Sequence, residues 1–399
     1  MAKVITTELQ HSGASGANVT LDSSKNVTCE NNLTVDGTST LSGNVAVTGN
    51  VTVTGTLPAD KLTGALPAIS GASLTNLPSS PPAFRNKVIN GGFSVSQRYG
   101  TNSHNAAAYV IDRWYHQLSG GAGTQQQHLF SSGDEIAGTK TYGKMNVTTG
   151  GDWCSLRYRI EDVRSLTPGS WTLSFWAKGT TPPGGLKFWA TQYFGSGGSS
   201  DVDISETSLT ALTGSWVRQS LTFTIGSLGS KTVNEDNSYF NFHIGQGSDN
   251  SSTAWNIEIT NVQLEAGTSM TDFEHRSYGD ELARCQRYYQ QYYYGQNADG
   301  DNTALMNAHC WSTSQIYGSV QFPVRMRTTP TGVVTNGTDY WIVYKTTPNT
   351  DSFDTMSVWN ANENGAILKG TGNLSVTAGE GVFVIGNNAA SRFAFSAEL

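Results

Sequence analysis

Residues 32–55 repeat a six-residue unit, NLTVDG, TSTLSG, NVAVTG and NVTVTG, closing on Gly37, Gly43, Gly49 and Gly55. The apolar positions are Leu33, Val35, Leu41, Val45, Val47, Val51 and Val53. Apolar residues two apart lie on one face of a short strand. The glycine takes the bend between units, where φ is free to be positive. Ordering a backbone costs roughly 1–2 kcal/mol per residue, and burying a Leu or Val returns about 1.5–3 kcal/mol. Seven such side chains cannot order the whole segment alone. It needs neighbouring copies to supply buried surface. Four units are too few for a self-contained solenoid, so the pattern predicts a thin shaft wound from several chains, with those seven side chains as the oligomer contacts. The competing reading is a Thr/Gly/Asn linker, which has no reason to space valine so regularly.

The rest of the 399-residue chain is long enough for two to three domains. It holds 44 glycines and only 14% charged residues, a mix that suits turn-rich β structure and opposes helical bundles. The net charge of −7, with no Lys/Arg run, argues against phosphate-contacting nucleic-acid binding. The opening MAKVITTELQHSG has no apolar signal core, and no stretch approaches membrane-spanning length. A soluble chain without signal peptide or membrane insertion is expected. Cys29, Cys154, Cys285 and Cys310 form no CxxC pair and read as free buried thiols.

Residues 1–31 read as a polar head with one strand in NVTLDSSKNVT, and residues 56–83 as a Pro/Leu neck that meets partner chains or acts as a loose spacer. From residue 84 to 276, period-two strands follow one another. Cys154, Leu156, Tyr158 and Ile160 share a face; Trp171, Leu173, Phe175 and Ala177 point inward, with Thr172, Ser174, Trp176 and Lys178 outward. In WNIEITNVQLEAG the inward phase shifts from Trp255, Ile257 and Ile259 to Val262 and Leu264. Many short strands with Gly/Ser/Asn turns predict an antiparallel jelly roll. SYGDELARCQRYYQQYY predicts a helical connector over 277–295, capped by Ser277 with Asp280, its stripe formed by Leu282, Cys285, Tyr289 and Tyr292. Residues 296–399 predict a smaller β-sandwich. The fold class is all-β: shaft, jelly roll, one short helix and a sandwich tip.

RNKVINGGFSVSQR, YVIDRW, WTLSFWAKGT and NVQLEAGTSMTDFEHRSYGDELARCQRYY occur in that order, and together this stretch, Arg85 to about Tyr289, resembles the distal region of tailed-bacteriophage fibre proteins. ITTELQHSGASGANVTL with LTVDG resembles the start of such fibres. The resemblance implies a jelly roll similar to carbohydrate-binding modules and a homotrimer in the phage tail, assembled in the host cytoplasm. It further implies attachment to virion proteins through residues 1–31, and adhesion to a host-surface glycan.

Chemistry-bearing motifs are sparse. GTKTYGKM (138–145) fits G-x-x-x-x-G-K, but Met145 stands where a phosphate loop needs Ser or Thr. DGDN (299–302) and DVD (201–203) complete no calcium loop, and no HExxH or GxSxG occurs. Glycan cleavage needs two carboxylates at a set separation; Glu161/Asp162 and Glu235/Asp236 are only adjacent in sequence. No catalytic residue, metal or cofactor is expected. Sugar binding needs an aromatic ring against a pyranose face and amides for its hydroxyls. Trp311, Tyr317 and Trp359 fit the first requirement and Gln315 and Asn360 the second; Tyr340 and Trp341 also lie in an aromatic run, and Trp176 is a candidate on the jelly roll. The expectation is a non-enzymatic tail fibre, the alternatives being a depolymerising tailspike and a capsid-decorating head fibre.

Overall fold

The computed structural model describes residues 85–399, apart from 106, 250, 295–303 and 347–349, together with three short strands near the N-terminus. Those strands, β1 (Glu8–Leu9), β2 (Val19–Leu21) and β3 (Val27–Cys29), form a small antiparallel sheet in the order β1-β2-β3. NVTLDSSKNVT therefore carries two strands and not one, β2 pairing antiparallel with β3. The repeat with Leu33, Val35, Leu41, Val45, Val47, Val51 and Val53, and the neck after it, lie outside the described residues.

The remainder, from Pro78 onward, clusters as one compact unit. Its first half contains β4 (Ala108–Ile111), β5 (Trp114–Gln117), β6 (Ala122–Leu129), β7 (Thr141–Thr149), β8 (Ser155–Glu161) and β9 (Gly169–Thr180). It continues through β10 (Lys187–Tyr193), β11 (Val202–Ser208), β12 (Val217–Ile225), β13 (Tyr239–Gly245) and β14 (Trp255–Ala266). A six-stranded sheet, β11-β10-β13-β8-β5-β4, faces a five-stranded one, β12-β9-β14-β7-β6. From β7 to β10 and from β11 to β14 each strand crosses to the opposite sheet, which is the connectivity of a jelly roll. The expected inward residues meet in one core: Leu156, Tyr158, Trp171, Phe175, Trp255 and Leu264 are all buried. The phase shift in β14 is a bulge between Thr260 and Gln263, with Asn261 at φ +54°.

Thr172 and Ser174 differ from expectation: both are buried, although they face away from that core. The segment after β14 lies over them. Thr271 donates its backbone N–H to Glu265 (2.9 Å) and its hydroxyl to the same carboxylate (2.6 Å), while Glu274 N–H donates to Gln263 (2.8 Å). A polar strap thus seals a face that alternation alone assigns to water. The motifs that carry the phage-fibre resemblance converge beside it. Lys87 N–H donates to Leu264 and Val262 N–H to Gly91. A Cβ on Gly91 would sit 2.1 Å from the Val262 carbonyl oxygen, so only glycine fits. Asn90 N–H donates to Glu281 (2.7 Å), and its carbonyl accepts from the Trp114 indole (3.0 Å). These residues join elements of the fold.

Helix α1 spans Tyr278–Gln286, with Ser277 accepting from Asp280 N–H as its cap. The expected helix over 277–295 is thereby halved: Tyr289–Tyr294 is β15, paired with a strand near Leu399. Consecutive tyrosines favour a pleated surface over a helix, and an edge was available to pair with. The C-terminal sandwich consequently starts at Tyr289 and not at 296. It adds β16 (Met306–Ser312), β17 (Gln315–Gln321), β18 (Thr331–Thr335), β19 (Trp341–Tyr344) and β20 (Thr350–Phe353). The last strands are β21 (Thr355–Asn362), β22 (Gly365–Thr371), β23 (Gly381–Gly386) and β24 (Arg392–Ser396). A three-stranded sheet, β15-β24-β18, packs on a seven-stranded one, β20-β19-β23-β16-β17-β22-β21, around Ile316, Leu368, Phe393 and Phe395.

A buried charge network ties the two sandwiches together. The β4–β5 turn presents Asp112 and Arg113, the latter at φ +71° and 1% exposed. Arg98 bridges Asp112 (3.0 Å) and Glu398 (3.1 Å), and Glu398 also pairs with Arg113. The Arg98 and Arg113 guanidiniums lie over Tyr289 (3.6 Å) and Tyr288 (3.5 Å).

Candidate functional site

The outer face of the seven-stranded sheet gathers exposed aromatic rings. Alternation turns His309 of β16, Tyr317 of β17 and Lys369 of β22 to this face, where they are cross-strand neighbours. Two irregularities add tryptophans. The register of β16 against β17 slips between Cys310 and Ser312, and that of β21 against β22 between Val358 and Asn360. The extra residues are Trp311 and Trp359, which are 68% and 61% exposed. A bulge re-aims a side chain without altering the rest of its strand, and both bulges aim an indole towards Tyr317. Trp311 and Trp359 stand edge-on to that ring, at 6.1 and 5.4 Å. With His309 and Ile367 they line a groove of about 320 Å³.

Polar groups flank the groove. The Tyr317 hydroxyl donates to Gln315 (3.4 Å), and the Lys369 ammonium lies 5.9 Å from the Tyr317 ring centre. On the far side of Ile367 a second hollow, about 190 Å³, is lined by Ser319, Gln321, Asn360, Asn362 and Asn364. Of the residues expected at a glycan surface, the fold thus brings Trp311, Gln315, Tyr317, Trp359 and Asn360 to one face. Trp341 is elsewhere: it is 0% exposed, packs on Tyr293 and Phe393, and donates its indole N–H to Asn336 (3.0 Å). Tyr340 packs against the same core, and its carbonyl accepts from Asn387 N–H and the Ser391 hydroxyl. Trp176, on β9 of the jelly roll, is half-buried and takes no part. Lys369 and the amides Gln321, Asn362 and Asn364 were missed; the NANEN run is visible in sequence, but its place beside Tyr317 depends on register.

The other chemical motifs resolve into structural partners. Lys144 of GTKTYGKM lies within β7 and pairs with Glu258 (2.9 Å). Asp203 accepts from Thr191 (2.9 Å), while DGDN lies outside the described residues. Glu161 binds Arg287 (2.7 Å), and Asp162 and Glu235 share Arg164. That arginine's hydrogen bonds hold the Asp162 carboxyl below its usual range. Cys154, Cys285 and Cys310 are free and buried, and burial raises all three thiols. Among the described residues no group of three or more His, Cys, Asp or Glu side chains converges as a metal site, and no helix is long and apolar enough to cross a membrane.

No protein-family model matches the chain, and no curated protein matches its sequence. Solved structures similar to it include the enzymatically active domain of tailspike protein 4 of bacteriophage CBA120, 17% identical over 45% of this chain and 21% of that one, with a TM-score of 0.27. This chain therefore spans about a fifth of that structure's length. The CBM22-2 xylan-binding domain of Paenibacillus barcinonensis Xyn10C is 11% identical over 42% of this chain and 100% of that one, with a TM-score of 0.27. The tripod from the baseplate of bacteriophage Tuc2009 is 19% identical over 33% and 49%, with a TM-score of 0.23.

Proposed function

We propose that this chain is a bacteriophage tail fibre: a homotrimeric virion protein, attached through its N-terminal segment, that adheres to a host-surface glycan without cleaving it. The observation that carries the reading is the outward triad of Trp311, Tyr317 and Trp359, flanked by the Gln315 and Asn360 amides. Solvent-facing indoles are costly to keep wet, and a sugar's C–H face relieves that cost while amides take its hydroxyls. Three copies on one shaft would convert weak single contacts into durable attachment through effective concentration.

Binding without cleavage is supported by the state of the carboxylates. A glycosidase acid needs a raised pKa beside a second carboxylate in an open cleft. Asp112, whose carboxyl burial raises, sits 1% exposed against Arg98 in the junction between sandwiches and not in an open cleft. The test is a glycan array probed with the full chain and with Trp311→Ala/Trp359→Ala. Selective binding that falls at least tenfold in the double variant is expected, with a trimer mass in solution. Unchanged binding by the variant would remove the platform from the function. Release of short oligosaccharides would replace adhesion with depolymerisation, and virion imaging of a C-terminal label at the capsid would replace tail with head.

A further inference from the structure

A second surface lies on the jelly roll, on the outer face of its six-stranded sheet. Alternation turns Arg157 and Arg159 of β8 to that face, two positions apart. Their guanidiniums lie over Tyr115 (4.0 Å) and Tyr239 (4.2 Å). Among the described residues neither forms an ion pair. Carboxylates near this face have other partners: Glu161 accepts from Arg287 (2.7 Å) and Tyr288 (2.8 Å), Asp203 from Thr191 (2.9 Å), and Glu206, in the β11 bulge opposite Trp189, from the Ser248 N–H (3.1 Å). The Nε of both arginines and the Oδ1 of Asn241, which stands opposite Arg159, are buried without a hydrogen-bond partner. His243, opposite Arg157, supplies no charge. Its Nε2 accepts from Asn241 (2.8 Å) and its Nδ1 meets Ser155 (3.0 Å), while burial, with Arg157 and Arg159 adding to it, pushes the imidazole down to about 3. Trp189 stacks on that imidazole at 4.6 Å, and Trp153 meets Trp189 edge-on at 5.0 Å.

Two fixed like charges on one face, two positions apart on β8, partly removed from water and without a counter-charge, repel one another. An anion between them removes the repulsion and satisfies donors that the fold leaves open, and the planar fork of arginine suits a carboxylate or phosphate. We infer that this face of the jelly roll binds an acidic glycan, its anionic group seated at Arg157 and Arg159 and its sugar ring beside the Trp189–His243 stack. This surface is separate from the Trp311–Tyr317–Trp359 platform and does not rest on it, since that platform asks for no charge on its ligand.

The test measures affinity electrophoresis of the full chain through gels holding polygalacturonate, poly(glycerol phosphate) or methyl-esterified polygalacturonate. The two acidic polymers separate carboxylate from phosphate, and the ester keeps the sugar chain while removing its charge. Retardation by at least one acidic polymer, weakened by raised salt and absent for the ester, is expected. Arg157→Gln/Arg159→Gln should weaken binding at least tenfold. Arg157→Lys/Arg159→Lys keeps the charge but loses the fork, so it should weaken binding less. That variant also stands in if the Gln pair alters the circular dichroism spectrum. Equal binding of acid and ester, binding to neither acidic polymer, or full affinity in both double variants would overturn the proposal.

Discussion

The two sandwiches differ in how far they expose tryptophan: the outer-face Trp153, Trp176 and Trp189 of the jelly roll are half-buried. In the jelly roll Trp114, Trp171 and Trp255 face inward, joined by Phe93, Phe175, Phe188 and Phe242. In the C-terminal sandwich Trp341 faces inward, but Trp311 and Trp359 stand in water. The strands on both sides alternate by the same rule. Each outward ring directly follows an inward-facing residue, Cys310 or Val358, and stands where the pairing of its strand slips. Packing and display are thus separable within one sheet.

That contrast can be broken at several points. Trp114→Ala removes a ring stacked on Phe93 at 4.8 Å and should cost about 3–5 kcal/mol in chemical denaturation. Trp359→Ala should change stability by no more than about 0.5 kcal/mol; equal losses would mean that Trp359 is structural. Glu398→Ala leaves Arg113 buried beside no carboxylate and should cost about 3 kcal/mol by the same measurement.

A third test uses pH. His243 is neutral in the fold, with its imidazole held near 3 against an ordinary 6.5. The unfolded chain therefore takes up a proton below about pH 6.5 that the folded chain refuses until about pH 3. The contribution is fully present above pH 6.5 and is lost as pH falls. Between pH 7.5 and 5 the wild type should lose about 2 kcal/mol more than His243→Gln, read from denaturation midpoints at each pH. The smallest effect is expected at Gln315→Ala, which should weaken binding of whichever array glycan is identified by about two- to fivefold, with stability unmoved.

Much of this was legible beforehand. Trp171, Leu173, Phe175 and Ala177 showed their face by period alone, and the phase shift at Val262 marked the place where β14 is bulged. Trp359 was legible because Met356 and Val358 fix the inward positions of its strand. What sequence could not show depended on distant chain. Thr172 and Ser174 read as surface because the strap that covers them is about 100 positions away. Trp341 sits in TDYWIVYKTT, aromatic on both faces, so period could not choose a side. The tyrosines after Arg287 fit a helical stripe equally well, and β24 decided the matter. The convergence of β16, β17 and β21 on Tyr317 is a property of register, which local pattern does not encode.

The pairing of Arg98 with Glu398 closes a loop 300 positions long. The entropy of closure grows only logarithmically with length, so equilibrium tolerates the distance. Kinetics does not: contacts so remote in sequence form slowly. The clamp between the sandwiches should therefore engage late in refolding, as a distinct slow phase that follows hairpin formation. Until it closes, Arg113 remains hydrated and the two sandwiches are still free to turn against each other.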